Sequence, residues 1–194
     1  MARPDADHHI KQASAEHNPF EGAPTFSLRH RLLRLAWRAV WLALAAWTPP
    51  PLHRWRIFLA NLFGAKVHPT AAIYGSARIW FPPNLTMAAR SALGRRVDCY
   101  CMAPISLGEQ VVVSQGASLC SGTHDIHDES FQTRARPITI GDRAWICAEA
   151  FVGPGVSVGE GAVLGARGVA FRDLDPWTVY VGNPAVEKGS RSRP

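Results

Sequence analysis

From Val67 onward, apolar residues return every six positions. Cut from Ile140, the chain reads IGDRAW, ICAEAF, VGPGVS, VGEGAV, LGARGV, with Ile, Val or Leu first, Gly second in all but one, and a small residue or Val fifth. LGEQVV, VSQGAS and LCSGTH keep this register from Leu107, and looser sixes run from Met87 and Val67. Grouped in threes, the sixes form blocks starting at residues 67, 87, 107, 140 and 158, close to eighteen residues apart except for one excess of fifteen. An amphipathic helix demands apolar spacings of three and four, and Gly153-Pro154-Gly155 breaks any long helix here. A period of six with Gly at the second place predicts short strands joined at corners, three to a coil: a solenoid whose first and fifth residues point inward.

The preceding segment has another rhythm. Ser27 caps a predicted helix through LRHRLLRLAWRAVWLALAAW, which Pro49-Pro50-Pro51 ends, and LHRWRIFLANLFG forms a second, stopping at Gly64. Leu28, Leu32, Leu35, Val40 and Leu44 recur at helical spacing, with Arg29, Arg31, Arg34 and Arg38 as a basic side and Trp37, Trp41, Trp47 and Trp55 between. Two readings stand: a hairpin packed on the main domain or a neighbouring subunit, or a basic, Trp-rich element lying on an anionic membrane. The domain reading is thus a polar, flexible arm over 1–25, a helical hairpin over 26–64, the coil over 65–185 and a tail over 186–194.

Composition narrows the classes. With 47% hydrophobic and 19% charged residues among 194, a sizeable core is expected. The net charge of +6 fits an anionic partner, but no nucleic-acid-reading motif accompanies it, so no nucleic-acid partner is expected. The start of the chain lacks an apolar run behind basic residues, and Ala36–Trp47 is too short and too interrupted by Arg38 to span a bilayer. A cytoplasmic protein is expected, with peripheral contact at the inner face of the membrane if the hairpin binds lipid. Cys99, Cys101, Cys120 and Cys147 form no CxxC pair and read as reduced packing residues.

The excess of fifteen residues lies over 125–139, directly after His124. Solenoids admit insertions at corners, where they project and commonly build binding faces. In this register Thr123 faces inward and His124 outward, at the foot of the loop. Trp145 and Phe151 hold the same outward sixth place, and two large outward aromatics call for cover by a subunit or a ligand.

The hexapeptide run ITIGDRAWICAEAFVGPGVSVGEGAVLGA, the SGTHD turn with its projecting loop, the FSLRHRLLRLAW opening and the ending DLDPWTVYVGNPA together resemble the left-handed β-helix acyltransferases, and within them the colanic-acid-type exopolysaccharide O-acetyltransferases. The resemblance covers about residues 26–188. It implies an all-β, left-handed parallel β-helix with an N-terminal helical hairpin, assembled as a homotrimer, with acetyl-CoA in the groove between subunits and no metal. By motif, His124 is the general base for direct transfer, without a covalent enzyme intermediate. Trp145, Ala148, Gly165, Ala166 and the residues around Arg172 line the cofactor groove, with Asn183 and Pro184 at the turn ending the coil. Cys101 and Asp125 fall on the acceptor side, Cys101 where relatives hold Asn. The acceptor implied is a sugar hydroxyl, on a free, nucleotide-linked or lipid-linked saccharide. Arg134, Arg136, Arg143, Arg167 and Arg172 are candidates for its phosphates or those of coenzyme A. Asp125 or Asp128 is placed to orient the imidazole, and His127 is a weaker catalytic candidate. The alternatives are a non-catalytic scaffold, an acetyltransferase for a small free acceptor, and a zinc hydratase on the same coil, which would need more histidines near His124.

Overall fold

A computed structural model describes residues 25–129 and 131–193; the expected arm thus lies outside the described residues but for Thr25. Two helices, α1 (Leu28–Leu44) and α2 (His53–Leu62), precede nineteen short strands, numbered β1 to β19 in chain order. Sixteen of these form a three-faced parallel solenoid. The first face stacks β1 (Lys66–Val67), β4 (Leu85–Met87), β7 (Ile105–Leu107), β12 (Ile138–Ile140) and β15 (Ser157–Val158). The second stacks β2 (Ala72–Ile73), β5 (Ala92–Leu93), β8 (Val112–Val113), β13 (Trp145–Ile146), β16 (Val163–Leu164) and β18 (Thr178–Val181). It is closed by the antiparallel β19 (Val186–Ser190), which occupies the segment read as a tail. The third stacks β3 (Arg78–Ile79), β6 (Asp98–Tyr100), β9 (Ser118–Cys120), β14 (Phe151–Val152) and β17 (Val169–Ala170).

The pairing register reproduces the hexapeptide arithmetic: Val67 pairs with Met87, Met87 with Leu107, Leu107 with Ile140 and Ile140 with Val158. First and fifth residues fill the interior. Ile73, Leu93, Val113, Ile146 and Leu164 are wholly buried along the second face, with Val97, Val111, Ala117, Ala144 and Ala162 at fifth places. Alternating large and small side chains let successive coils stack at strand spacing without voids.

Ser27 caps α1 as expected, its Oγ accepting the His30 N–H at 3.3 Å. Trp37 and Trp41 turn inward, whereas Leu28, Leu32, Leu35 and Leu44 are exposed. Hydrogen bonding explains the choice, because the first coil has a backbone edge that no coil below satisfies. Trp37 Nε1 donates to the Ile79 carbonyl (2.7 Å), Trp41 Nε1 to Gly75 (3.1 Å), and the buried Arg56 Nε to Ile73. Asn61 bonds both the Val67 N–H (2.9 Å) and its carbonyl (3.0 Å). Leucines offer no donors for such groups, which are costly to leave unpaired when buried. The Arg56 guanidinium also ties down the inter-helix loop, reaching Thr48 Oγ1 (2.7 Å) and the carbonyls of Pro49 (3.1 Å) and Pro50 (2.6 Å).

Candidate active site

The coil is broken once, between the third and first faces. Ser121 is the root of the break: its Oγ accepts the Ala103 N–H (2.9 Å) and donates to the Tyr100 carbonyl (2.9 Å). At Gly122 a Cβ would collide with the Met102 side chain and the Tyr100 ring, so a larger residue requires these side chains to shift. From there the chain forms an antiparallel hairpin, β10 (Gly122–His124) with β11 (Thr133–Ala135). Thr123 pairs with Arg134 and is exposed, which corrects its expected inward position. The chain leaves the coil at Gly122, before the inserted residues begin, so the inward register no longer applies to Thr123.

His124 ends β10 with its side chain exposed. Its ring lies flat on Phe131, centroids 4.4 Å apart and 8° from parallel, and Nδ1 is 3.0 Å from the Phe131 carbonyl. A carbonyl oxygen only accepts, so Nδ1 carries a proton, and in the neutral ring Nε2 keeps its lone pair. Phe131 holds φ at 47°, in the left-handed region that bulky residues avoid. No spacing in the sequence singles it out, because its role depends on the hairpin's curl. Asp125 accepts the His127 N–H (3.0 Å) and pairs with Arg134 (3.1 Å). The His127 amide and then the Arg134 guanidinium hold its carboxyl below the usual carboxylate range.

A second group of candidates lies on another edge, where the second face turns into the third. Ala148 and the pair Gly165 and Ala166 occupy successive corners there, stacked through the Arg167 N–H on the Ala148 carbonyl (2.9 Å). Among the described residues, the Ala148 N–H meets no backbone carbonyl. At Gly165 a Cβ would press within 2.9 Å of Val181. Trp145, 45% exposed on the second face, leans toward this edge, its Nε1 donating to Ser114 Oγ at 2.8 Å. Asn183 and Pro184 form the exposed turn above, tied back by the Ala185 N–H on the Val169 carbonyl (2.8 Å).

One chain therefore gathers Trp145, Ala148, Gly165, Ala166, Asn183 and Pro184 along one edge. His124 and Asp125 lie along another, with Arg172 exposed beyond β17 on that same side. Cys101 joins neither group: it is wholly buried, its Sγ within 3.2–3.3 Å of the Phe81 N–H and carbonyl. Burial pushes the Cys120 and Cys147 thiols up, and no cysteine is in a disulfide. Among the described residues, Arg134 pairs with Asp125, Arg143 with Glu160 (2.8 Å) and Arg167 with Glu149 (2.6 Å). Among the described residues no group of three or more His, Cys, Asp or Glu is placed to hold a metal ion.

Comparison with known proteins adds three likenesses. The chain is 41% identical over 150 residues to WcaF of Escherichia coli (strain K12), spanning 77% of this chain and 82% of that one; WcaF carries a provisional assignment as a colanic acid biosynthesis acetyltransferase. The fold matches a maltose O-acetyltransferase from Clostridium difficile 630 with a TM-score of 0.76 at 20% identity, over 86% of this chain and 90% of that one. It also matches a hexapeptide-repeat acetyltransferase from Vibrio cholerae O1 biovar eltor, complexed with acetyl coenzyme A, with a TM-score of 0.74 at 22% identity, over 86% and 91% of the two chains. No protein-family model matches.

Proposed function

The chain belongs to the hexapeptide-repeat acetyltransferases, in the branch of WcaF, and on that premise we propose that it moves acetyl from acetyl-CoA to a sugar hydroxyl in exopolysaccharide assembly. The acceptor is a saccharide, free or carried on a nucleotide or lipid. The observation that carries the proposal is the His124 imidazole, exposed on a hairpin and fixed in one tautomer by the Phe131 carbonyl.

Such a histidine meets the chemical need. A sugar hydroxyl is scarcely ionised at neutral pH, and Nε2 takes its proton as the oxygen attacks the thioester carbonyl; a base of this kind contributes about 10²–10⁴ in rate. The collapsing intermediate expels the coenzyme A thiolate, which leaves with that proton as the thiol, and the acetyl ester departs on the sugar. The Ala148 N–H is the donor assigned to the developing oxyanion. Trp145, Gly165, Ala166, Asn183 and Pro184 form the wall along which the donor lies, and Arg172 meets it from the other side. Asp125 holds the hairpin through Arg134 rather than touching the reacting atoms, and Cys101 serves packing.

The separation of His124 from Ala148 on two edges of one coil supports a homotrimer of left-handed prisms. In such a trimer the hairpin edge of one subunit faces the stacked edge of its neighbour, so each site is built from two chains. Calorimetric titration with acetyl-CoA tests the reading. Saturable binding at about one per chain is expected, and no heat at about millimolar concentration overturns it.

A further inference from the structure

Helix α1 carries a second apolar stripe that the fold does not use. Leu28, Leu32, Leu35, Ala39 and Leu42 follow one another at spacings of four and three, opposite the buried Trp37 and Trp41. Leu28 and Leu35 are each 66% exposed. Helix α2 repeats the arrangement, with Trp55, Phe58 and Leu62 turned away from the buried Arg56, Ile57 and Ala60. The two outer stripes meet at the hairpin's turn, where Trp55 Nε1 donates to the Leu44 carbonyl (2.8 Å) and Trp47 is 73% exposed. Arg29, Arg31, Arg38 and Arg54 flank these stripes, all exposed, and none is in an ion pair among the described residues. No Asp or Glu stands anywhere between Glu21 and Asp98.

We propose that the outer face of the α1–α2 hairpin docks the enzyme in the plane of an anionic lipid surface. The stripes enter the boundary between headgroups and acyl chains, the flanking arginines pair with lipid phosphates, and the indoles sit at headgroup depth. Charge selects this occupant. A second copy presenting the same face would set arginine against arginine with no carboxylate in the whole stretch to answer it, whereas an anionic bilayer satisfies both the apolar stripe and the cations. No described helix is long and apolar enough to cross a membrane, so the contact is interfacial. The inference is independent of the acetyl-transfer reading, since none of these residues lies on either candidate edge.

Co-sedimentation of the full chain with vesicles tests it. Phosphatidylcholine vesicles containing phosphatidylglycerol are expected to bind the protein, and vesicles of phosphatidylcholine alone to bind it at least about tenfold more weakly, with the difference shrinking as salt rises. Arg31→Gln with Arg38→Gln is expected to weaken binding about thirtyfold. Leu32→Ser, Leu35→Ser and Phe58→Ser together are expected to abolish it, with an unchanged melting temperature as the check on folding. Failure of the native chain to bind anionic vesicles, or variants that bind like it, overturns the proposal. So does a change of oligomeric state in the serine variant by light scattering, which would make this face a contact between copies.

Discussion

Two edges of the same coil are built by opposite rules. Where the second face turns into the third, the repeat is kept. Glu149 and Arg167 hold the same left-handed corner, each at φ 58°, and backbone bonds pass from Gln115 to Glu149 and from Ala148 to Arg167 coil by coil. Where the third face turns into the first, the repeat is interrupted by the hairpin that carries His124. The regular edge is fixed by many neighbours and supplies a rigid wall. The interrupted edge is fixed by a few specific contacts and supplies a reactive group. The difference teaches that the periodic part of this chain sets the frame, while the aperiodic part carries the candidate base.

The sharpest way to break that division is His124→Ala. Turnover is expected to fall about 10²–10⁴-fold, with the melting temperature and acetyl-CoA binding unchanged. Turnover within about threefold of native would remove His124 from the base role. Mixing this variant with one blocked at the other edge, such as Ala148→Trp, sharpens the point. If each site spans two chains of a trimer, refolding equal amounts together is expected to restore about a quarter of native activity from two inactive parents; no restoration would put both halves of the site in one chain.

On the regular side, Ile146→Ala removes a wholly buried first-place side chain and is expected to cost about 2–5 kcal/mol. Denaturant unfolding measures it, and a smaller loss accompanied by a large loss of turnover would blur the division.

The smallest effect expected is at Asp125. Its carboxyl is held below the usual range in the folded hairpin, so the protection it gives is complete above the ordinary carboxylate value of about 3.9 and is lost as pH falls through the lower folded value. Protection of the His127 amide, taken relative to its intrinsic exchange rate, is therefore expected to hold down to about pH 4 and to fall below it. Asp125→Asn is expected to lower it at neutral pH without moving the coil's unfolding midpoint. Protection that is indifferent to both pH and substitution would free the hairpin from this ion pair.

The same division governs what was legible in the sequence. Block starts at 67, 87, 107, 140 and 158 emerge as paired residues because each inward place accepts only a narrow range of volumes, and that constraint is written in the residues themselves. Thr123 was misread because hairpin pairing overrides the coil's register two residues before any change of composition marks it. Which face of α1 packs is not legible in the sequence, for a related reason. Leucines advertise burial by hydropathy, but the first coil offers backbone groups that Trp37, Trp41, Arg56 and Asn61 answer with polar side chains. Phe131, which fixes the His124 tautomer with its own carbonyl, left no sequence signal, since any residue supplies that atom.

The seating of the helices on the first coil has a last consequence. A stack of parallel strands is open at its ends, and an open end is a template on which the next molecule can add its own coil, lengthening the stack into a fibre. Here the indoles, the guanidinium and the amide of the hairpin occupy the very groups that such growth would use. The hairpin is thus a terminator of assembly, keeping a self-templating architecture to a finite particle.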